Sequence, residues 1–163
     1  MKELLDHTTN TIYSEASPDS GYENIQTEDW QEIRTSRLFY TSTEKKNWTE
    51  SRKDCQRRGG DLVIINIKEK QDILRRMKLH GDSWIGLQSV NNTGGRGAKK
   101  WKWQWVDGSE LEYKFWKNGV STTAEAGSKA YIDQQFLWMH SKTELKHWIC
   151  EKINISHTGV IHT

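Results

Sequence analysis

Up to about residue 28 the chain has no periodic run of apolar positions. Thr, Ser, Asn, Asp and Glu dominate there, and Pro18-Asp19-Ser20-Gly21 is turn chemistry. After Trp30 the pattern changes. Arg37-Leu38-Phe39-Tyr40-Thr41 predicts a strand. Asn47 or Thr49 can cap a helix running to about Arg58, where Gly59-Gly60 stops it. Trp48, Arg52, Cys55 and Gln56 share one face of that helix. Asp61 to Ile65 predicts a short β-branched strand, and Asn66-Ile67-Lys68-Glu69 reads as a capping box. The second helix turns Ile73, Leu74 and Met77 inward and ends at Gly81. Ser83 to Leu87 is an apolar strand, Asn91 to Lys100 a Gly-rich loop, and Trp103 to Val106 and Lys146 to Cys150 are short strands. Two early helices followed by short strands and long loops predict an α+β domain. The expected division is a disordered acidic tail over 1–28, a domain over 29–152 and an extension over 153–163.

Composition sharpens this picture. The 163 residues suit one domain plus a tail. Mean hydropathy is -0.90, and no stretch approaches the roughly 18–20 apolar residues of a membrane helix. No secretory leader pattern opens the chain. Residues 1–28 hold one Lys and six acids, whereas the remainder holds 23 bases and 16 acids. A basic domain could meet an acidic partner, although a mixed solvated surface explains the same count more plainly. Nine Trp all lie between Trp30 and Trp148. Their motif positions favour an aromatic-rich core over an exposed stacking platform, so no nucleic-acid partner is expected.

Four motifs then fall in order. They are Trp48-x-x-Ser51-x-x-x-Cys55 with Gly60-Asp61-Leu62-Val63, Trp84-Ile85-Gly86-Leu87, Trp103-x-Trp105-Val106-Asp107-Gly108-Ser109, and Trp148-Ile149-Cys150-Glu151-Lys152. Together they resemble the C-type lectin-like domains, closest to vertebrate immune-receptor members such as the killer-cell and dendritic-cell lectin-like receptors. The resemblance implies the C-type lectin-like fold, with two helices, small antiparallel sheets and a long loop region. It also implies a disulfide between Cys55 and Cys150, against the alternative of two buried free thiols. A bridge closing roughly 95 residues is worth about 4–5 kcal/mol in the chain-entropy model. Such receptors sit in the plasma membrane as type II proteins with the lectin domain outside, and they are recognition modules, not enzymes.

Departures from the family carry as much information. The family's second disulfide would fall near Lys129 and Thr143, so the loop between them is expected to be looser. Sugar-binding members hold calcium with carboxylate-rich triplets. Here those triplets read Val120-Ser121-Thr122 and Trp138-Met139-His140. Calcium takes about six to eight oxygen ligands, and Glu125, Asp133 and Glu144 are scattered. No calcium and no other cofactor is therefore expected. The expected function is calcium-free binding of a protein surface or a glycan across 118–143. Lys117, Lys129, Phe136, Trp138, His140 and Lys142 are the candidate ligand-binding residues, with Leu137 and Lys146 beside them. The alternative is a calcium-dependent carbohydrate-binding lectin. A hydrolase is the third reading, but no nucleophile motif surrounds Ser141 near His140 and His147. Arg96, Lys99, Lys100 and Lys102 beside Trp101 could grip phosphate or sialic acid, although a solvated loop is the plainer account.

Asn47-Trp48-Thr49, Asn91-Asn92-Thr93 and Asn154-Ile155-Ser156 are N-glycosylation acceptors. In the tail, Ser20-Gly21-Tyr22-Glu23-Asn24-Ile25 matches an immunoreceptor tyrosine-based inhibitory pattern. The segment around Tyr13 narrowly misses a related one. Phosphorylated Tyr22 would offer nearly two negative charges to a Src-homology-2 domain. The partners expected are a protein or glycan ligand, a Src-homology-2 protein, and a second copy of the chain.

Overall fold

The computed structural model describes residues 2–3, 33–92, 97 and 100–157. The tyrosine motifs around Tyr13 and Tyr22, together with Arg96 and Lys99, lie outside them. The elements in chain order are β1 (Lys2–Glu3), β2 (Ile33–Thr41), α1 (Trp48–Arg57), β3 (Asp61–Leu62), α2 (Lys68–Arg75) and β4 (Ser83–Asn91). They continue with β5 (Trp101–Trp105), β6 (Lys129–Ile132), β7 (Trp138–Ser141) and β8 (His147–His157). Two helices and a mixed sheet confirm the expected α+β class. The sheet runs β1-β2-β8-β4-β6-β7, with β3 on β8 and β5 on β4. β2 and β8 pair antiparallel from Ile33↔His157 to Thr41↔Ile149. The last strand thus continues well past Lys152, and Lys2–Glu3 pair with Thr41 and Tyr40.

α1 starts where Asn47 accepts the Glu50 N–H at 2.8 Å, so Asn47 and not Thr49 is the cap. It stops at Arg58, followed by Gly59 at φ 88°. Its inward face is Trp48, Ser51, Asp54 and Cys55. Gln56, expected on that face, is exposed, because the core lies toward β8 and the helix turns Asp54 there instead. Cys55 is bridged to Cys150 of β8, with Cα atoms 5.4 Å apart. α2 has no side-chain cap: Ile67 occupies that position, so the expected capping box does not form. The helix also ends at Arg75, well before Gly81. Leu74 and Met77 are buried as expected, and Ile73 is partly buried.

The core has two parts, on opposite faces of β4. Trp84 joins Trp48, Tyr131, Trp148 and the disulfide, while Ile85 and Leu87 join Trp103, Trp105 and Trp138. Among the described residues six Trp are buried, and five of their indole N–H groups have acceptors. Trp48 donates to Ile85 O, Trp84 to Lys46 O, Trp103 to Thr122 O, Trp138 to Gln71 Oε1 and Trp148 to Asp54 Oδ2. Trp105 is the exception among the described residues. Gly86 explains the third position of the Trp84-to-Leu87 motif. A Cβ there would meet Leu62 O at 2.7 Å, where Gly86 N–H donates to Val63 O. Gly60 is just as constrained, since a Cβ on it would run into Glu151 O.

Candidate functional site

The long connection from β5 to β6 opens with a turn in which Asp107 Oδ1 accepts from the Ser109 N–H and hydroxyl. It then runs against a floor of aromatic rings. Trp138 meets Trp105 edge-on at 5.5 Å and Trp116 at 5.6 Å, and Trp116 lies 5.1 Å from Trp103. No second disulfide holds this connection. It is tied instead by Trp103 Nε1 donating to Thr122 O (2.8 Å), by His140 Nε2 against Ser121 O (2.6 Å) and by a Lys142–Glu125 ion pair (2.9 Å). A cleft of about 320 Å³ opens between β5 and residues 122–124.

The six candidate ligand-binding residues divide. Lys117, His140 and Lys142 reach the loop face: His140 is half-buried against Trp103 and Trp116, and Lys142 is exposed. Trp138 does not, because it is 0% exposed and forms the centre of the aromatic floor. Lys129 is turned away as well. It shares a face of β6 with Tyr131, opposite to Ala130, and its Nζ sits 4.3 Å from the Trp48 ring while donating to Gln88. Burial and the nearby Arg52 push its pKa down. Phe136 packs partly into the core with φ 64°, and its carbonyl accepts from Gln71. Lys146 is buried and bound to Glu144.

The acids near this face are occupied. Glu125 pairs with Lys142, whose hydrogen bond lowers the carboxyl pKa. Glu144 is lowered in the same way by Lys146. Asp133 pairs with Lys117 at 3.4 Å and accepts the N–H groups of Gln135 and Leu137. Among the described residues, no three His, Cys, Asp or Glu side chains converge on a point where a metal ion could sit.

The family model described as "Lectin C-type domain" matches residues 44–152. The chain belongs to the C-type lectin domain family. CD209 antigen-like protein A of Mus musculus is 32% identical over 134 residues, 78% of this chain and 52% of the relative. C-type lectin domain family 2 member B of Homo sapiens is 32% identical over 117 residues, 72% of this chain and 69% of the relative. This C-type lectin domain chain thus spans about half the length of the first of these curated relatives. The cow CD23 carbohydrate-recognition domain, crystallised in the presence of GlcNAc2Man3 oligosaccharide, superposes with a TM-score of 0.60 at 26% identity. That match covers 72% of this chain and 88% of the cow domain. Among the described residues no helix is long and apolar enough to cross a membrane.

One contributor to the site, Gln71, and one buried neighbour, Lys70, escaped the sequence reading. Gln71 of α2 is buried and holds both Phe136 O and the Trp138 indole. Lys70 is buried beside it and reaches Glu151. The available signal was a pair of long polar residues three and four positions before Leu74, on the inward face of the helix.

Proposed function

We propose that this domain is a non-catalytic recognition module of immune-receptor type, which binds a protein surface or a glycan without calcium through the face over 118–143. The carrying observation is that Glu125, Asp133 and Glu144 each already hold a lysine. Calcium would need about six to eight oxygens, several of them carboxylate. Recruiting these acids would break three ion pairs and still leave Val120 and Met139 among the positions that supply ligands in calcium-binding relatives. The half-buried His140, Phe136 and Leu137, beside the ion-paired Lys117 and Lys142, suit a protein partner better. Isothermal titration with calcium is expected to show no binding at micromolar concentrations, and ligand capture on a glycan array or by a protein partner is expected to be unchanged by chelator. Micromolar calcium affinity, or capture abolished by chelator, would establish the calcium-dependent lectin instead.

The disulfide and the three glycosylation acceptors support placement of the domain outside the cell. The motif around Tyr22 supports a signalling role for the tail on the other side. A peptide over 15–30 phosphorylated at Tyr22 is expected to retain a tandem Src-homology-2 protein that the Tyr22→Phe peptide does not. Equal retention by both peptides would remove that role.

A further inference from the structure

The outer end of the β4–β5 ladder places a glycosylation acceptor beside a tryptophan. Asn91 is paired with Trp101 across the two antiparallel strands, so both side chains stand on one face. Backbone bonds from Val106 N to Gly86 O (2.8 Å) and from Asn92 N to Lys100 O (2.7 Å) mark the bonded rungs. Asn91 and Trp101 fall between such rungs, at a position where Cα atoms approach to about 4.5 Å and side chains lie closest. Burial declines along β5: Trp105 and Trp103 are buried and Trp101 is half-buried, so the row of rings leaves the core at Trp101. Trp103 is covered by Trp116 and His140. Among the described residues no ring covers Trp101, which lines the open cleft with Asn92, Glu110 and Thr123. Asn91 is exposed and opens the acceptor Asn91-Asn92-Thr93.

We propose that Asn91 carries an N-linked glycan and that its first N-acetylglucosamine packs against the Trp101 ring. The donor is a lipid-pyrophosphate-linked oligosaccharide. The Asn91 Nδ2 forms the bond to C1 of the sugar and gives up a proton as the lipid pyrophosphate leaves. A pyranose ring presents a face of C–H groups that matches the indole, and covering that ring removes its remaining apolar surface from water. The sugar's hydroxyl and acetamido groups then face the polar rim formed by Asn92, Glu110 and Thr123. Asn47 is committed differently, because its side-chain oxygen caps α1.

The test uses the full chain secreted from a eukaryotic host in an Asn47→Gln/Asn154→Gln background, with and without Trp101→Ser. Glycopeptide mass spectrometry is expected to find Asn91 occupied. Trimming the glycan to one N-acetylglucosamine should leave the melting temperature unchanged, and complete enzymatic removal should lower it by about 2–4 °C. In the Trp101→Ser protein, complete removal should have no effect, and Trp101→Phe should keep part of the shift. An unoccupied Asn91, or an equal shift in the parent and Trp101→Ser proteins, would overturn the proposal. Where Trp101→Ser is not secreted, the parent protein decides by NMR. Ring-current shifts of the first sugar's protons are expected, and free-glycan positions would overturn the contact.

Discussion

Reducing the Cys55–Cys150 bridge is expected to lower the unfolding free energy by about 4–5 kcal/mol. The bridge spans 95 residues of sequence, so opening it releases a long loop in the unfolded chain. In the folded chain it also ties the last turn of α1 to β8 between two buried positions. That loss is comparable to the whole stability of a small domain. Urea melts of the oxidised protein and of a Cys55→Ala/Cys150→Ala variant measure it. Coincident midpoints, with oxidation of the parent verified by peptide mapping, would show that the bridge contributes nothing. The same magnitude predicts poor yield from a reducing cytosol.

The second large effect is expected at Glu151. Its Oε1 accepts from Lys70 Nζ at 2.8 Å and from the Ile64 N–H at 2.8 Å, and its Oε2 meets Arg37 at 3.2 Å. Lys70 and Glu151 side chains are 3% and 8% exposed. Glu151→Leu would take the carboxylate from the buried Lys70 ammonium, which keeps Ile64 O, and the acceptor from the Ile64 N–H. The expected cost is about 3–5 kcal/mol. Lys70→Met should cost less, because the carboxylate keeps Arg37 and Ile64. The double variant should recover much of the loss, since an apolar pair replaces a matched ionic one. Chemical denaturation of the three variants decides this: strict additivity, or a Glu151→Leu cost below about 1 kcal/mol, would refute the coupling.

The motif residues were legible in the sequence because local shape dictates them. Gly86 and Gly60 stand where a neighbouring backbone leaves no room for a Cβ, and Trp84, Trp103, Trp105 and Trp148 fill the two cores. The candidate face was less legible. Nothing near Trp138 in the chain says that Gln71, more than sixty residues earlier, will accept a hydrogen bond from its indole N–H inside the core. Lys129 was misplaced for a similar reason. Which face of β6 it occupies depends on its register with β4 and on Trp48 from α1, and neither is written in its surroundings. α2 begins without the cap its sequence offered, because Lys70 and Gln71 anchor the helix to the core by their side chains. In each case a contact distant in sequence overrode a local preference.

The long β2–β8 pair also has a mechanical meaning. Ile33 lies opposite His157 at one end, and the ladder closes at Thr41 and Ile149 at the other. Tension applied between those outer ends pulls the strands apart like a zipper, loading one rung at a time instead of shearing all of them together. Peeling inward, it reaches the Tyr40–Cys150 rung, where β8 is covalently joined to α1. Force entering from that side therefore meets weak resistance first and a covalent stop last, and residues 56–149, enclosed by the bridge, carry none of it.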